Sequence, residues 1–217
     1  MIQFNDVTGL IILVTVVGLV PFVAMVVTSY AKIVVVLGLL RNALGVQQVP
    51  PNMVLNGIAI LVSAYVMAPV GLQAMSSLEA NRSAADSSSQ VVVQALGAAK
   101  EPFREFLKKH TNTREKLFFL RSASAIWPAD IASKLSQDDL IVLAPAYTLT
   151  EMGDAFKIGF MLYVAFIVVD LVIANVLMAM GLNQVQPTNI AIPFKLLLFV
   201  VMDGWSTLVH GLILTYR

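Results

Sequence analysis

The sequence predicts an all-α membrane protein in which two long helical hairpins flank a polar insert. Three observations lead to this fold class. The mean hydropathy is +0.82, and only 12% of the residues are charged, against about a quarter in ordinary soluble domains. A nine-residue block occurs twice, 136 residues apart. Of the 27 charged side chains, 18 lie between Ser76 and Gly153, so the charge is concentrated in one segment.

The repeated block predicts the two hairpin tips. Residues 43–51 read ALGVQQVPP and residues 179–187 read AMGLNQVQP, with five of nine positions identical. Each copy lies between apolar stretches, as a helix–turn–helix connection would. Duplicated apolar hairpins with Gly and Pro at corresponding places are typical of membrane transport folds. The predicted tip residues are Gly45, Pro50, Pro51, Gly181 and Pro187.

The apolar stretches divide the chain into three parts. We predict a first hairpin over residues 1–75, a polar and mainly helical insert over 76–153, and a second hairpin over 154–217. The stretches cover about residues 10–40, 53–75, 155–181 and 194–216, and most reach the roughly 20 residues that cross a bilayer. The first stretch contains Pro21 and a polar pair at Thr28, which predicts a kinked helix or two helices meeting there.

Capping signals place the helices of the insert. Pro102 suits the first turn of a helix. Asn112 with Glu115 predicts the start of the next one. Thr148 with Glu151 forms a further capping box, which we expect to begin the third apolar stretch.

Composition excludes most enzymatic chemistry. The chain has no Cys and only two His, so we expect no thiolate nucleophile, no protein-built metal centre and no cofactor. No phosphate-binding loop of the GxxxxGK[ST] type occurs, so any energy input comes from partners or from the membrane. A net charge of +1 gives no reason to expect nucleic-acid binding.

Charged residues inside the apolar stretches are the main candidate functional residues. A charge at the centre of a spanning helix costs about 2.5–3.5 kcal/mol on insertion scales, so each needs a partner or water. They either face a pore or form ion pairs that order the helices. The five are Lys32, Lys157, Asp170, Lys195 and Asp203.

Distances from the tips suggest one particular pair. Lys32 lies 13 residues before Gly45, and Asp170 lies 11 residues before Gly181. The two hairpins therefore carry opposite charges at nearly the same depth below their tips. We predict that Lys32 and Asp170 approach each other within or between subunits.

Charge asymmetry suggests an orientation. Arg41 is the single charge near the first tip, and a cation at a short connection favours the cytoplasmic side. The insert is then periplasmic. No cationic segment precedes the first apolar run, so we expect no cleaved signal sequence.

Both halves of the chain resemble the type III secretion export-gate family that includes SctR, HrcR and flagellar FliP. The resemblance covers both hairpins in order, whereas the insert carries none of it. The matching motifs are TSYAKI (28–33), LLRNALG (39–45), VPPN (49–52), YVMAPV (65–70), VDLVIA (169–174), VLMAMG (176–181), IPFKLLLFV (192–200) and DGW (203–205).

The resemblance implies a non-enzymatic core subunit of a protein export apparatus in the bacterial inner membrane. It implies a homopentamer that assembles with SctS and SctT, works with SctU and SctV, and passes unfolded secreted proteins. It also implies a closed helical cone largely above the bilayer, whereas hydropathy by itself implies four spanning stretches.

The resemblance places the gate of the channel at the second tip. Flagellar relatives carry a run of Met after the glycine, where this chain has polar residues. The candidate gate residues here are Met178, Met180, Leu182, Asn183 and Gln184. A seal at this place is therefore less apolar, or it is shared with Met178 and Met180. Flagellar members usually begin with a cleavable signal sequence, so the expected lack of one favours an injectisome over a flagellum. The alternative function is a small-solute or ion transporter with its site at Asp170 and Lys195.

Overall fold

The computed structural model describes residues 4–80 and 88–217 of the chain. Over these ranges the backbone forms helices and no strand, which confirms the predicted all-α class. The helices are α1 (Phe4–Val27), α2 (Tyr30–Ala43), α3 (Asn52–Ala80), α4 (Ser88–His110), α5 (Thr113–Ile126), α6 (Ala129–Ala132), α7 (Leu140–Ala179), α8 (Pro187–Val201) and α9 (Gly204–Leu214).

The chain divides into two compact units. One contains the residues up to Ala31 together with Ala64–Glu151, and the other contains Lys32–Ser63 and Met152–Arg217. Helices α3 and α7 each contribute residues to both units. The predicted division at residues 75 and 153 stays a prediction.

In the first unit, the end of α4 packs against the beginning of α7. Leu107, Leu143 and Tyr147 have no exposed surface, and full burial of a side chain of this size contributes about 1.5–3 kcal/mol. The Phe106 ring lies 5.8 Å from the ring of Tyr147. These apolar contacts form a small core for the insert.

The α4–α5 connection confirms one capping prediction. The Asn112 side chain accepts a hydrogen bond of 3.0 Å from the backbone N–H of Arg114, and its own N–H donates to Thr150 Oγ1 at 3.1 Å. Lys116 is nearly buried and donates to the carbonyl of Lys108 at 2.8 Å. The last turn of α4 and the first turn of α5 are therefore held together.

Two other capping predictions are wrong because the helices begin earlier than the signals indicate. Pro102 lies inside α4, where it removes one intrahelical hydrogen bond. Thr148 lies inside α7, and its hydroxyl donates to Ala144 O at 2.9 Å, four residues back, and to Val26 O at 3.2 Å. The third apolar stretch therefore has no separate start, since α7 is continuous from Leu140.

Within residues 4–80 and 88–217, two helices are long and apolar enough to cross a membrane. They are α3, with 29 residues, and α7, with 40. At about 1.5 Å per residue they extend over roughly 43 Å and 60 Å, compared with a hydrocarbon core of about 30 Å. The number of spans rises to four if α1–α2 and α8–α9 each count as one broken span.

The break predicted in the first apolar stretch is confirmed. Helix α1 ends at Val27 and α2 begins at Tyr30. At the break the Thr28 hydroxyl donates to Ala24 O at 2.6 Å and accepts from the N–H of Tyr30 at 3.3 Å. Thr28 thereby satisfies backbone groups that the break leaves without helical partners.

A second break was not predicted. The fourth apolar stretch, expected to be one segment over 194–216, divides at Met202 and Asp203, and α9 is bent by 64° from α8. Asp203 adopts the left-handed conformation, with φ at 50°, which Asp tolerates better than most side chains. Asp203 and Gly204 interrupt the apolar run at this point, but the predicted stretch includes both residues and has no helix boundary there.

The ion pair between Lys108 and Asp138 predicts a pH dependence in the insert. Lys108 Nζ lies 2.6 Å from Asp138 Oδ2. The hydrogen bond to Asp138 raises the pKa of Lys108 above its ordinary 10.5, and the same bond lowers the pKa of Asp138 below its ordinary 3.8. Both groups are therefore charged at any pH between the lowered pKa of Asp138 and the raised pKa of Lys108. Over this range the pair stabilises the segment before α7. That contribution is lost as pH falls through the lowered pKa, or rises through the raised one.

We expect Asp138→Asn to speed hydrogen exchange of residues 133–140 at pH 7, after correction for intrinsic rates. The difference from the native chain should shrink as the pH falls below 3.8, since the native pair is then lost as well. Asp130→Asn is the matched control, because Asp130 is exposed on α6 and forms no ion pair in the described part of the chain. Equal exchange of native chain and Asp138→Asn at pH 7 would contradict the prediction.

Candidate functional site

The first hairpin tip is closed by its own side chains. After α2 ends, Gly45 takes a positive φ of 80°, and its N–H donates to Asn42 O at 3.0 Å. The guanidinium of Arg41 donates to Pro50 O at 3.2 Å and to Asn52 Oδ1 at 2.6 Å. Arg41 thus ties the end of α2 to the start of α3. The charge pattern indicated only an orientation for Arg41, and no sequence signal predicted these contacts.

The second tip also follows a glycine that ends a helix, and among the described residues no side chain bridges it as Arg41 bridges the first. Gly181 has a φ of 73°, and the N–H of Leu182 donates to Leu177 O at 3.0 Å, as in a Schellman turn. Pro187 begins α8, and Gln186 before it makes no side-chain cap. At both predicted tips, therefore, a helix ends at a glycine with a positive φ.

All five candidate gate residues are exposed in the single chain. Met178 and Met180 are 59% and 66% exposed, and Leu182 is 41% exposed. Asn183 and Gln184 are exposed as well. The tip therefore presents apolar and amide groups side by side that the chain does not cover itself.

Below this tip, Asp170 and Lys195 form an ion pair between α7 and α8. Lys195 Nζ lies 2.6 Å from Asp170 Oδ2, and the side chains are 6% and 43% exposed. Lys195 also donates to the carbonyl of Ala43 at 3.1 Å. Ala43 is the last residue of α2, where carbonyls lack helical partners and a cation is favoured by the helix dipole. One ammonium group thus connects three helices.

The predicted pairing of Lys32 with Asp170 is wrong within the chain. Asp170 bonds Lys195 instead, whereas Lys32 donates to Thr215 Oγ1 at 3.3 Å and lies 4.1 Å above the Tyr216 ring. The reason is the register of the second hairpin itself. Asp170 lies nine residues before the end of α7 and Lys195 eight residues after the start of α8, so the two legs of one hairpin bring them to the same depth.

The remaining predicted charges lie apart from this pair. Lys157 forms an exposed i,i+3 ion pair of 2.9 Å with Asp154, which the sequence analysis did not consider. Asp203 is exposed in the α8–α9 break. Glu151, which the sequence analysis treated as a cap, is instead a charge with 1% exposure inside α7. A carboxylate in a continuous apolar helix is the signal that could have identified it.

The geometry indicates two roles for these residues. Asp170 and Lys195 pair helices, and the exposed second tip is available for surface contact. No group of three His, Cys, Asp or Glu side chains that could hold a metal occurs among residues 4–80 and 88–217. Asp170 and Lys195 bond each other, so these two charges do not form the open site that the transporter hypothesis requires. The fold and site define a multi-pass helical membrane protein with an exposed glycine-turn tip.

Comparison with known proteins gives the family. The profile of the FliP family matches residues 13–212. The chain is 65% identical over 217 residues to the hypersensitivity response secretion protein HrcR of Ralstonia nicotianae, covering 99% of this chain and 100% of that protein. It is 47% identical over 216 residues to Yop proteins translocation protein R of Yersinia pestis, covering 100% and 99% of the two chains. The chain belongs to the FliP family, which confirms the resemblance.

The surroundings of the two tip glycines predict the order of the unfolding temperatures of three Gly→Ala variants. Gly45→Ala should lower the unfolding temperature most, because a side chain in the left-handed region costs about 1–2 kcal/mol and its Cβ would lie 2.9 Å from Ile192 Cγ1. Gly181→Ala carries only the conformational cost, since nothing lies within 4 Å. Gly38→Ala, within α2 and in open space, should be neutral or stabilising by about 0.5–1 kcal/mol.

Tryptophan fluorescence during heating of the detergent-solubilised chain measures this order, since the chain contains 2 Trp. If Gly181→Ala unfolds at a lower temperature than Gly45→Ala, the role assigned to the Ile192 contact is incorrect.

The Asp170–Lys195 pair predicts an asymmetric double-mutant cycle. Asp170→Asn leaves the nearly buried ammonium without its counter-charge, so it should destabilise most, towards the lower end of the 3–5 kcal/mol typical of broken buried pairs. Lys195→Met leaves an aspartate that is 43% exposed in the single chain, so its effect should be smaller. The double variant should recover part of the loss.

The exposed pair Asp154 and Lys157 supplies the matched control, because removing either partner there should change stability by less than about 1 kcal/mol. Denaturant unfolding of all the variants measures the coupling. Additive effects at Asp170 and Lys195 would rule out a stabilising bond between them.

Proposed function

We propose that this protein is a core subunit of a bacterial type III secretion export apparatus, of the injectisome type. In this role it helps to form the inner-membrane channel through which unfolded secreted proteins pass. The observation that carries the proposal is the near full-length similarity to a hypersensitivity response secretion protein and to a Yop translocation protein. It acts as a structural part of the channel and not as an enzyme.

The second hairpin tip is the proposed constriction. Its support is the contrast between two tips that each follow a helix-ending glycine with positive φ. Arg41 binds the first tip to its own hairpin, whereas residues 181–190 are all exposed. Met178 and Met180 add flexible apolar side chains beside the polar Asn183 and Gln184, which suits a seal that closes around a chain and yields to it.

The partners follow from the same proposal. Further copies of the chain cover the exposed apolar faces of α3 and α7, forming a homopentamer. SctS and SctT complete the gate, and SctU and SctV complete the export apparatus. The polar insert faces the periplasm. Apolar residues such as Leu61 and Phe160, 72% and 68% exposed in the single chain, support extensive contact with lipid or with other subunits.

The constriction is tested by replacing Leu182, Asn183 and Gln184 together with Gly. Ion leak through the assembled complex should rise while assembly is unchanged, because the turn keeps its backbone and loses only the side chains that narrow the channel. Conductance across planar bilayers measures the leak, and native mass spectrometry checks assembly.

The matched control replaces Val46, Gln47 and Gln48, the corresponding residues of the first tip, with Gly. Leak should stay at the native level there. An unchanged leak in the second-tip variant, in a correctly assembled complex, would place the seal elsewhere. A chain that runs as a monomer or dimer without partners would favour the transporter function instead.

A further inference from the structure

Helix α2 is held at both ends by the bent pair α8–α9. At its end, the Ala43 carbonyl accepts from Lys195 of α8 at 3.1 Å. Near its start, Lys32 donates at 3.3 Å to Thr215, just after α9, and lies over the Tyr216 ring. All these residues lie in the same compact unit. One helix pair therefore reaches both ends of α2.

The bend brings the length of the α8–α9 segment closer to that of α2. At about 1.5 Å per residue, Lys32 and Ala43 are roughly 16 Å apart, whereas a straight helix from Lys195 to Thr215 would extend over about 30 Å. With the 64° bend, the same segment spans about 25 Å by this rise per residue, and the two lysine side chains cover the rest.

The ring of Phe199 fills the inside of the bend. It lies so close to Gly204 that a Cβ there would overlap its Cδ2 and Cε2 atoms, with Cγ at 2.8 Å. The ring also meets Trp205 edge-on, with centroids 5.5 Å apart. Phe199 is 6% exposed and belongs to a cluster with Leu40 and Phe166. Residues on both sides of the bend therefore pack on one aromatic ring.

Other features of α9 show that this contact is particular to the bend. The second glycine of the helix, Gly211, has nothing within 4 Å of an added Cβ. An apolar groove of about 620 Å³ lies at the bend and is lined by residues of α7, α8 and α9, with Phe199 and Gly204 among them. Because packing around the bend is incomplete, the contact of Phe199 with Gly204 and Trp205 carries more of the restraint on the angle.

We propose that Phe199 is a positioning residue that holds the α8–α9 bend through Gly204, and thereby sets where the second hairpin tip stands in the export channel. Helix α8 begins at the tip, and α8–α9 contacts α2 at both ends. A change in the bend therefore either moves the tip or breaks the contacts with α2. The role in the channel rests on the proposed function, whereas the restraint on the bend does not.

The bend is measured by the distance between two spin labels. The chain contains no Cys, so Cys introduced at Ile190 and Leu214, which are 42% and 63% exposed, are the sole labelling sites. Labelled full-length chains are mixed with an excess of unlabelled ones in the assembled complex, which suppresses distances between subunits. From the rise per residue, straightening the 64° bend lengthens this distance by up to about 5 Å.

Gly204→Ala should lengthen the distance, because the new Cβ and the ring force the two helices apart. Gly211→Ala is the matched control, which has the same gain in helix propensity without the overlap, and its distance should equal the native one. Phe199→Ala should broaden the distribution around the native mean. The double variant Phe199→Ala/Gly204→Ala should return the mean to the native distance, since the overlap is relieved.

Two results would overturn the restraint on the bend. One is an unchanged distance in Gly204→Ala. The other is a lengthened distance in Gly204→Ala that Phe199→Ala does not reverse.

Secretion tests the role in the channel. In a strain that lacks the native protein, we expect Gly204→Ala to lose secretion, Gly211→Ala to keep it, and the double variant to regain part of it. If distances change as expected while secretion stays native in every variant, the bend does not position the channel. Failure of the unaltered chain to support secretion would count against the proposed function and leave the distance result intact.

Discussion

The ammonium group of Lys195 is the contact on which the second unit depends. It lies against the Asp170 carboxylate and the last carbonyl of α2, so a single side chain joins α2, α7 and α8. A cation that is 6% exposed is costly without such partners. The same group satisfies a carbonyl that the end of α2 leaves unpaired. The position of α2 and the register of the second hairpin are therefore set together.

The two hairpins use one turn motif for different purposes. Both tips end a helix at a glycine with positive φ. In the first, the guanidinium of Arg41 bridges to Pro50 and Asn52, and the tip is part of the scaffold. In the second, no corresponding cation is present in the sequence, and the side chains stay exposed. The repeat thus supplies one tip that Arg41 bridges and one that is exposed throughout residues 181–190.

Sequence-based prediction was reliable for elements and less so for partners. The break at Thr28 was predicted because a polar pair interrupts an apolar run, whereas Asp203 and Gly204 interrupt the last run in a similar way and were not predicted to form a boundary. Depth below the tips predicted that Asp170 pairs with Lys32, and this prediction is wrong. The reason is that residues on the two legs of one hairpin are closer neighbours than residues on different hairpins.

The sequence by itself determined the all-α membrane class and the two glycine turns, because these follow from local composition and from the limited conformations of Gly and Pro. Only the tertiary structure decided which partner each charge takes. It also decided that α7 runs unbroken from Leu140 and that Phe199 and Gly204 meet inside a bend. These features depend on the packing of residues distant in the chain or across a break, and such packing leaves no periodic signal in the sequence.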